Sequence, residues 1–237
     1  MKKIILLVAA LAGIMFAKSV ELATPPDHKD GVNHLELVLI LDKSGSMSGL
    51  ESDTIGGFNS MIEKERKEGI DASVTTVLFD TKFNVIHDRT PLKKVENLTS
   101  KEYYAGGNTA LLDAIGSTIA RIERVPDIYA KNNRVLFVII TDGMENSSRE
   151  YSKAQIKKMI SDKQEKYDWE FIFLGANIDA ASEAQSIGIK RENALKYENS
   201  KEGVSKNFEA AAEISKDVAT DNKVNSKWRD KVLQDKK

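Results

Sequence analysis

Oxygen-bearing side chains occur in three short segments whose positions would let them share one ion. The segments are Asp42-Lys43-Ser44-Gly45-Ser46, Gly106-Gly107-Asn108-Thr109 and Thr141-Asp142-Gly143. The first and the third each follow an apolar run of strand length. Together the segments offer two carboxylates and three hydroxyls as candidate metal ligands, from Asp42, Asp142, Ser44, Ser46 and Thr109. Oxygen ligands without nitrogen or sulfur select a hard divalent cation.

This ligand set is weak and incomplete by itself. Hydroxyls are neutral, so the carboxylates of Asp42 and Asp142 would be the only groups that balance the charge of the ion. The ion would therefore stay electrophilic and need further oxygen donors, one of which an acidic side chain of another protein can supply. We expect Gly45 to let the backbone turn tightly enough for Ser44 and Ser46 to point at the same centre.

Other site chemistries fit the sequence less well. The chain has no cysteine, which excludes thiolate zinc sites and cysteine nucleophiles. It has three histidines, His28, His34 and His87. The segment Gly45-Ser46-Met47-Ser48-Gly49 has methionine where a hydrolase elbow needs serine, and no phosphate-binding G-x-x-x-x-G-K-[ST] string occurs. A metal-dependent hydrolase or phosphatase using the two aspartates remains an alternative, which the lack of a general base disfavours.

The charge balance narrows the class of partner. The 237 residues include 35 basic and 36 acidic side chains, a formal charge of -1. Without a strong positive field the chain has little to attract phosphates, so nucleic acid is not an expected partner.

Apolar runs of strand length alternate with stretches of helical periodicity from Leu35 onward. This alternation predicts a doubly wound, Rossmann-like α/β domain with a mostly parallel sheet and helices on both faces. Most runs are apolar at every position, as in central strands that are covered on both faces. The predicted strands are Leu35 to Leu41, Val74 to Phe79, Phe83 to His87, Val135 to Ile140 and Phe171 to Leu174.

The run from Phe83 to His87 predicts the one antiparallel edge strand. Only three residues separate it from the run that ends at Phe79, too few for a crossover, so the two should form a hairpin. The chain would then return to the other side of the first strand and leave a crevice at that reversal. Asp42 and Asp142 would be neighbours across this crevice.

Four segments have the three-and-four spacing of apolar residues that predicts amphipathic helices. They lie around Phe58/Met61/Ile62, Leu111/Ile115/Ile122, Ile156/Met159/Ile160 and Val204/Phe208/Val218. Gly56 and Gly57 fall in the first segment, where each costs about 1 kcal/mol relative to alanine, so we expect a close backbone approach or a late helix start. Residues 221–237 form a charged tail with a lone Trp228, which indicates a solvated helix end.

The N-terminal segment differs from the rest of the chain. Two lysines precede the apolar stretch Ile4 to Ala17, and residues 20–33 form a polar linker. This pattern predicts a signal peptide over residues 1–19 and export to the periplasm or beyond. The stretch is shorter than the about 20 residues that span a bilayer, so removal is favoured over anchorage. A cut after Ser19 fits better than one after Ala17. Retention of the segment on a cytoplasmic or membrane-attached protein is the alternative.

The three ligand segments resemble the metal-ion-dependent adhesion site, or MIDAS, of von Willebrand factor type A (VWA) domains. Asp42-Lys43-Ser44-Gly45-Ser46, Thr109 in its glycine-rich loop and Asp142 in Thr-Asp-Gly match all five ligand positions. The order of strands and helices is also similar, and the chain resembles a small stand-alone bacterial VWA protein with its domain over residues 34–220. The resemblance implies hydroxyl ligands, carboxylates that bind directly or through water, and Mg²⁺, or Mn²⁺ or Ca²⁺, that bridges to an acidic residue of a partner protein.

Choice of a partner requires side chains around the crevice, because a metal binds any accessible carboxylate. The residues that flank the ligand segments are expected to form this rim: Met47, Leu50, Tyr103, Tyr104, Asn108, Met144 and Glu145. For Leu50 and one of the tyrosines, packing of the loops is an equally good role. The favoured function is a cation-dependent protein-binding module and not an enzyme. A cytoplasmic VWA assembly factor is a further alternative.

Overall fold

The computed structural model describes residues 34–130, 132–221, 224 and 228–229. The predicted signal segment 1–19, the linker 20–33 and most of the tail lie outside these residues. The strands are β1 His34–Asp42, β2 Ala72–Phe79, β3 Phe83–Pro91, β4 Asn133–Thr141, β5 Glu170–Ala176 and β6 Ala194–Tyr197. The helices are α1 Glu51–Glu68, α2 Leu111–Ile122, α3 Lys153–Tyr167, α4 Ala180–Ser186 and α5 Lys201–Asp221.

The described strands form one six-stranded sheet in the order β3-β2-β1-β4-β5-β6. Every neighbouring pair is parallel except β2 and β3, which form the antiparallel hairpin at one edge. The predicted α/β fold is therefore confirmed. The chain builds outward from β1 to β3 and then returns to the other side of β1 as β4, so the reversal lies between β1 and β4.

Helices cover both faces of the sheet and bury a separate apolar layer on each. Side chains of α1 and α5 pack with Leu37 and Leu39 of β1, whereas side chains of α2, α3 and α4 pack with Val38 and Ile40. Alternate residues of one strand thus enter opposite layers, which explains why the central strands are apolar at every position. Such burial fixes the strand ends, and with them the loops that carry the candidate ligands.

Two elements lie outside the sequence predictions, α4 with seven residues and β6 with four. Both are too short to show a periodic pattern over several turns or several alternations. The indication of a solvated C-terminal tail is wrong for Trp228, which is 2% exposed and packs against the layer that contains α1 and α5. Within the described part of the chain, no helix has the length and apolar character needed to cross a membrane.

The two glycines of α1 differ in their surroundings. The helix begins at Glu51, so both glycines lie inside it. A Cβ added to Gly57 would lie 2.3 Å from Cδ2 of Phe208 on α5, whereas one added to Gly56 would meet nothing within 4 Å. The expected close approach is thus found at Gly57 alone, where the missing side chain lets α5 lie against α1.

Candidate metal centre

The carboxyl ends of β1 and β4 bring the two aspartates to the same edge of the sheet. Asp42 ends β1 and Asp142 directly follows β4, and they are 1% and 2% exposed. The hydroxyl of Ser46 donates to Oδ1 of Asp142 at 2.5 Å. The hydroxyls of Ser44 and Ser46 hydrogen-bond each other at 3.1 Å. The structure therefore connects the first ligand segment to the third.

Gly143 marks the point on which the candidate ligands converge. A Cβ added to Gly143 would lie 3.1 Å from Oγ1 of Thr109, 3.4 Å from Oγ of Ser46 and 3.9 Å from Oδ2 of Asp42. Ligand oxygens from two different segments thus surround one small space beside the third, and a side chain at position 143 would fill it. With the hydrogen bonds of Ser44 and Asp142, all five predicted residues are brought together.

Two backbone hydrogen bonds hold the first ligand segment to the glycine-rich loop. The amide of Gly45 donates to the carbonyl of Gly107 at 3.1 Å, and the amide of Gly106 donates to the carbonyl of Lys43 at 2.9 Å. Ser44 and Ser46 meet across Gly45, as expected, although the φ of Gly45 is not positive. Glycine is required at Gly107, whose φ is 74° and where a Cβ would lie 2.8 Å from Oγ1 of Thr81.

The loop after β4 fixes both Thr109 and the start of α2. The amide of Thr109 donates to Oδ1 of Asn146 at 2.9 Å, and the amide of Asn146 donates back to the Thr109 carbonyl at 3.1 Å. The carboxylate of Glu145 accepts from the amides of Leu112 at 2.9 Å and Ser148 at 2.7 Å. Glu145, a predicted rim residue, is half-buried, and its carboxylate stabilises the first turn of α2.

Burial dominates the electrostatics of the two carboxylates. It raises the pKa of Asp42 to about 6, although the hydroxyl of Thr141 at 2.6 Å and the amide of Ser44 at 2.7 Å donate to the carboxylate and oppose the shift. Burial also raises the pKa of Asp142. The protein thus leaves the negative charge of the two carboxylates partly uncompensated. A bound divalent cation would stabilise their ionised forms.

The chemistry of the donor set fits a hard cation held weakly. Within the part of the chain that the structure describes, no three His, Cys, Asp or Glu side chains group to hold a metal ion. The candidate centre therefore depends on its three hydroxyls as much as on its two carboxylates. Neutral oxygen donors suit Mg²⁺ and its relatives, but they contribute less charge stabilisation than the carboxylate-rich calcium loops.

The rim prediction is wrong for Met47, which is 1% exposed. Leu50 and Tyr103 are 8% and 0% exposed, which confirms the alternative role of packing the loops. All three point down into the apolar layer beside α1 and α5, and the hydroxyl of Tyr103 donates to the carbonyl of Asp42 at 2.5 Å. They support the ligand loop from below. A sequence-based argument can place a residue next to a ligand but cannot tell which way its side chain turns.

Three of the predicted rim residues are exposed: Tyr104, Asn108 and Met144. Tyr104 and Met144 are 57% and 67% exposed and are the large exposed hydrophobic side chains of the described residues. The ammonium nitrogen of Lys43 lies over the ring of Tyr104, 4.4 Å from the ring centroid, and it forms a salt bridge with Asp80. The loops that carry the candidate ligands thus present two exposed apolar side chains.

Two further polar residues at the site escaped the sequence analysis. Asp80 directly follows β2 at the same edge of the sheet, so the strand-end rule that located Asp42 would also have found it. Asn199 lies after β6 and donates from Nδ2 to Oδ2 of Asp142 at 3.2 Å. No sequence signal points to Asn199, because the short strand that places it is not recognisable.

The two described histidines lie away from the candidate ligands. His34 begins β1, at the opposite end of the strand from Asp42. His87 lies on β3, where its ring stacks on Phe58 with centroids 5.9 Å apart. Neither ring hydrogen-bonds to a candidate ligand in the described part of the chain.

Comparison with solved structures places this architecture among known folds. A von Willebrand factor type A structure from Catenulispora acidiphila aligns with a TM-score of 0.56 at 16% identity, covering 79% of this chain and 43% of that one. The ArnB paralog VWA2 from Sulfolobus acidocaldarius aligns with a TM-score of 0.52 at 15% identity, covering 79% and 46%. The chain has a VWA-like fold.

The PilB minor pilin from Streptococcus sanguinis is also similar to this VWA-like chain, with a TM-score of 0.56 and 15% identity. The alignment covers 82% of this chain and 63% of the pilin. The chain therefore spans less than two thirds of each of these three structures. No protein-family model and no curated protein sequence matches the chain. At such identities the likeness concerns the fold alone.

Proposed function

We propose that this VWA-like protein is a divalent-cation-dependent protein-binding module that captures an acidic residue of a partner through a MIDAS-type centre. The observation that carries the proposal is the convergence of Thr109, Ser46 and Asp42 oxygens on the space beside Gly143. Residues that only cap helices would donate to or accept from nearby backbone groups. Here the oxygens of separate loops instead surround a common point.

The five residues have distinct parts in this proposal. Asp42 and Asp142 would balance the charge of the ion, directly or through water, and the three hydroxyls would supply neutral oxygen ligands. Ser46 is exposed whereas Ser44 and Thr109 are buried, so the ion would be accessible from the Ser46 side. When bound, Mg²⁺, Mn²⁺ or Ca²⁺ would supply the positive charge that lets a partner carboxylate bind next to Asp42 and Asp142.

We propose a binding role rather than catalysis. A hydrolase built on this centre would need a general base near the ion, and His34 and His87 lie elsewhere in the described structure. Assays of phosphatase and esterase activity with added Mn²⁺ separate the two classes. Turnover that Asp42→Ala abolishes would favour the enzyme.

The compartment is a proposal based on the N-terminal sequence alone. A basic start followed by an apolar stretch favours export, with a mature chain that begins between Lys18 and Val20. N-terminal sequencing of the native protein decides this. A chain recovered from Met1 in the cytoplasmic fraction would favour an intracellular assembly role instead.

Calorimetry with Mg²⁺ or Mn²⁺ tests the centre itself. Because the ligands are mostly neutral and the partner completes the site, we expect a dissociation constant on the order of 10⁻⁴ to 10⁻³ M for the free protein. Asp42→Ala and Ser44→Ala should reduce binding at least about tenfold, since each removes a ligand oxygen. Asp88→Ala removes an exposed carboxylate on β3 and serves as the matched control. Equal binding by all variants would show that the site is wrongly assigned.

A further inference from the structure

A side chain outside the three ligand segments reaches into the candidate centre. Asn199 lies between β6 and α5, and its Nδ2 donates to Oδ2 of Asp142 at 3.2 Å. The other carboxylate oxygen of Asp142 accepts from Ser46. Asp142 is therefore held on one side by a ligand segment and on the other by the connection to the last helix.

The connection that carries Asn199 is fixed against the first turn of α5. The carbonyl of Ser200 accepts from Val204 at 2.9 Å, and its hydroxyl accepts from the amide of Gly203 at 3.1 Å. A Cβ added to Gly203 would lie 1.9 Å from the carbonyl oxygen of Glu198, so the helix and the connection are in direct contact. The residues on both sides of Asn199 are thus held against the helix, whereas Asn199 itself is exposed.

Tyr197 provides a second, independent observation at the same corner. It is 6% exposed, and its hydroxyl has no hydrogen-bond partner among the described residues. Tyr197 pairs with Ala176 on β5, one residue beyond the pairing of Gly175 with Thr141, so it is level with Asp142. A buried hydroxyl without a partner is uncommon in folded proteins. Here it leaves a donor available beside the carboxylates.

The charge around Tyr197 agrees with this placement. Burial raises the pKa of Tyr197 well above its ordinary value, and the nearby carboxylates of Asp142 and Asp42 raise it further. The carboxylate of Asp142, one amide donor and one unused hydroxyl thus occupy the corner between β4, β6 and α5, with Asp42 nearby at the end of β1. Water molecules around a bound cation could hydrogen-bond to these polar groups, which do not all pair with one another.

We propose that Asn199 is a positioning residue of the cation centre, which orients Asp142 towards the ion from the connection between β6 and α5. The inference rests on the proposed function and adds a fourth chain segment to it. Groups that hold a metal ligand typically change metal affinity about 10- to 100-fold when they are removed. Asn199 acts in this way through its hydrogen bond to the Asp142 carboxylate.

The test is a Mn²⁺ titration, by electron paramagnetic resonance or calorimetry, of the whole protein and matched variants. Asn199→Ala should weaken Mn²⁺ binding about tenfold, because Asp142 loses the group that orients it. Asn199→Asp should also weaken binding, because an ionised aspartate cannot donate to the Asp142 carboxylate. Asn193→Ala is the control, since buried Asn193 donates from Nδ2 to Glu170 at 3.3 Å at the opposite end of β6. It should leave Mn²⁺ affinity unchanged.

The outcomes separate this inference from the proposed function. If the wild type binds Mn²⁺ and Asp42→Ala does not, but Asn199→Ala binds as well as the wild type, the inference is overturned while the centre stands. Binding by Asn199→Asp at least as tight as that of the wild type also overturns it, because an ionised aspartate cannot make the hydrogen bond on which the inference depends. A wild type that binds no Mn²⁺ overturns both proposals.

Discussion

At the scale of single residues, the hydroxyls of the candidate centre hydrogen-bond to other ligands of the same centre. Ser46 donates to Asp142 at 2.5 Å and hydrogen-bonds the hydroxyl of Ser44 at 3.1 Å. A bound ion would replace part of these contacts with its own. The net gain is therefore smaller than the strength of the metal–oxygen contacts, which is why we expect weak binding until a partner adds its carboxylate.

The exposed rim residues give the first prediction at this scale. Tyr104→Ala or Met144→Ala should weaken partner capture in a pull-down but leave cation binding and folding intact, because both side chains are mostly exposed. Thr109→Ala should weaken capture through loss of an oxygen ligand, and Mn²⁺ affinity should fall with it. If chelation abolishes capture but neither rim variant reduces it, the recognition surface lies elsewhere.

The sequence locates the candidate ligands better than it locates their surroundings, and the reason is geometric. Asp42 and Asp142 follow apolar strands whose carboxyl ends must share one edge, so their proximity follows from topology. The direction of Tyr103 depends instead on the path of a loop held by hydrogen bonds between distant segments. Asn199 depends on a strand of four residues, which has no recognisable pattern.

At the scale of elements, the contact between α1 and α5 depends on one glycine. The missing Cβ of Gly57 admits the ring of Phe208, and the same pair of helices supports Leu50 and the ligand loop above them. The apolar stripes of both helices are visible in the sequence. Which of the two adjacent glycines faces the partner helix is not, because that requires the register of one helix against the other.

Alanine substitutions at the two glycines should have opposite effects. Gly56→Ala should stabilise the protein by about 0.5 to 1 kcal/mol, because alanine favours the helix and its Cβ meets no neighbour within 4 Å. Gly57→Ala should destabilise it by about 1 to 3 kcal/mol, because its Cβ would overlap the Phe208 ring. Urea denaturation measures both. A change of the same sign in the two variants would contradict the packing described here.

At the scale of the whole molecule, a buried acid links the same two helices and makes their association sensitive to pH. Glu65 of α1 is 1% exposed, and the hydroxyl of Ser215 on α5 donates to its Oε1. Its Oε2 has no hydrogen-bond partner among the described residues. Burial raises the pKa of Glu65 to about 8, and the nearby Glu68 carboxylate adds to the rise. The hydrogen bond from Ser215 opposes it.

The sign of the pH dependence follows from the two states of Glu65. The unfolded chain releases the proton near the ordinary pKa of 4.5, whereas the folded protein keeps it up to about pH 8. Between these values the unfolded state binds fewer protons, so the free energy of unfolding falls as the pH rises. Above the folded pKa this contribution is fully lost. Each unit of pKa difference corresponds to about 1.4 kcal/mol, so the loss is on the order of a few kcal/mol.

Glu65→Gln should remove this component while retaining an oxygen that accepts from Ser215. The stability of the variant relative to the wild type should therefore increase from pH 5 to pH 8, as measured by urea denaturation at several pH values. Glu63→Gln changes an exposed carboxylate on the same helix and should leave the pH profile parallel to that of the wild type. Subtraction of the profiles cancels the contributions of the histidines and the metal-site carboxylates, since all the proteins share them. Parallel profiles for Glu65→Gln and the wild type would show that Glu65 is ionised in the folded protein at neutral pH, and that the contact between α1 and α5 admits water to it.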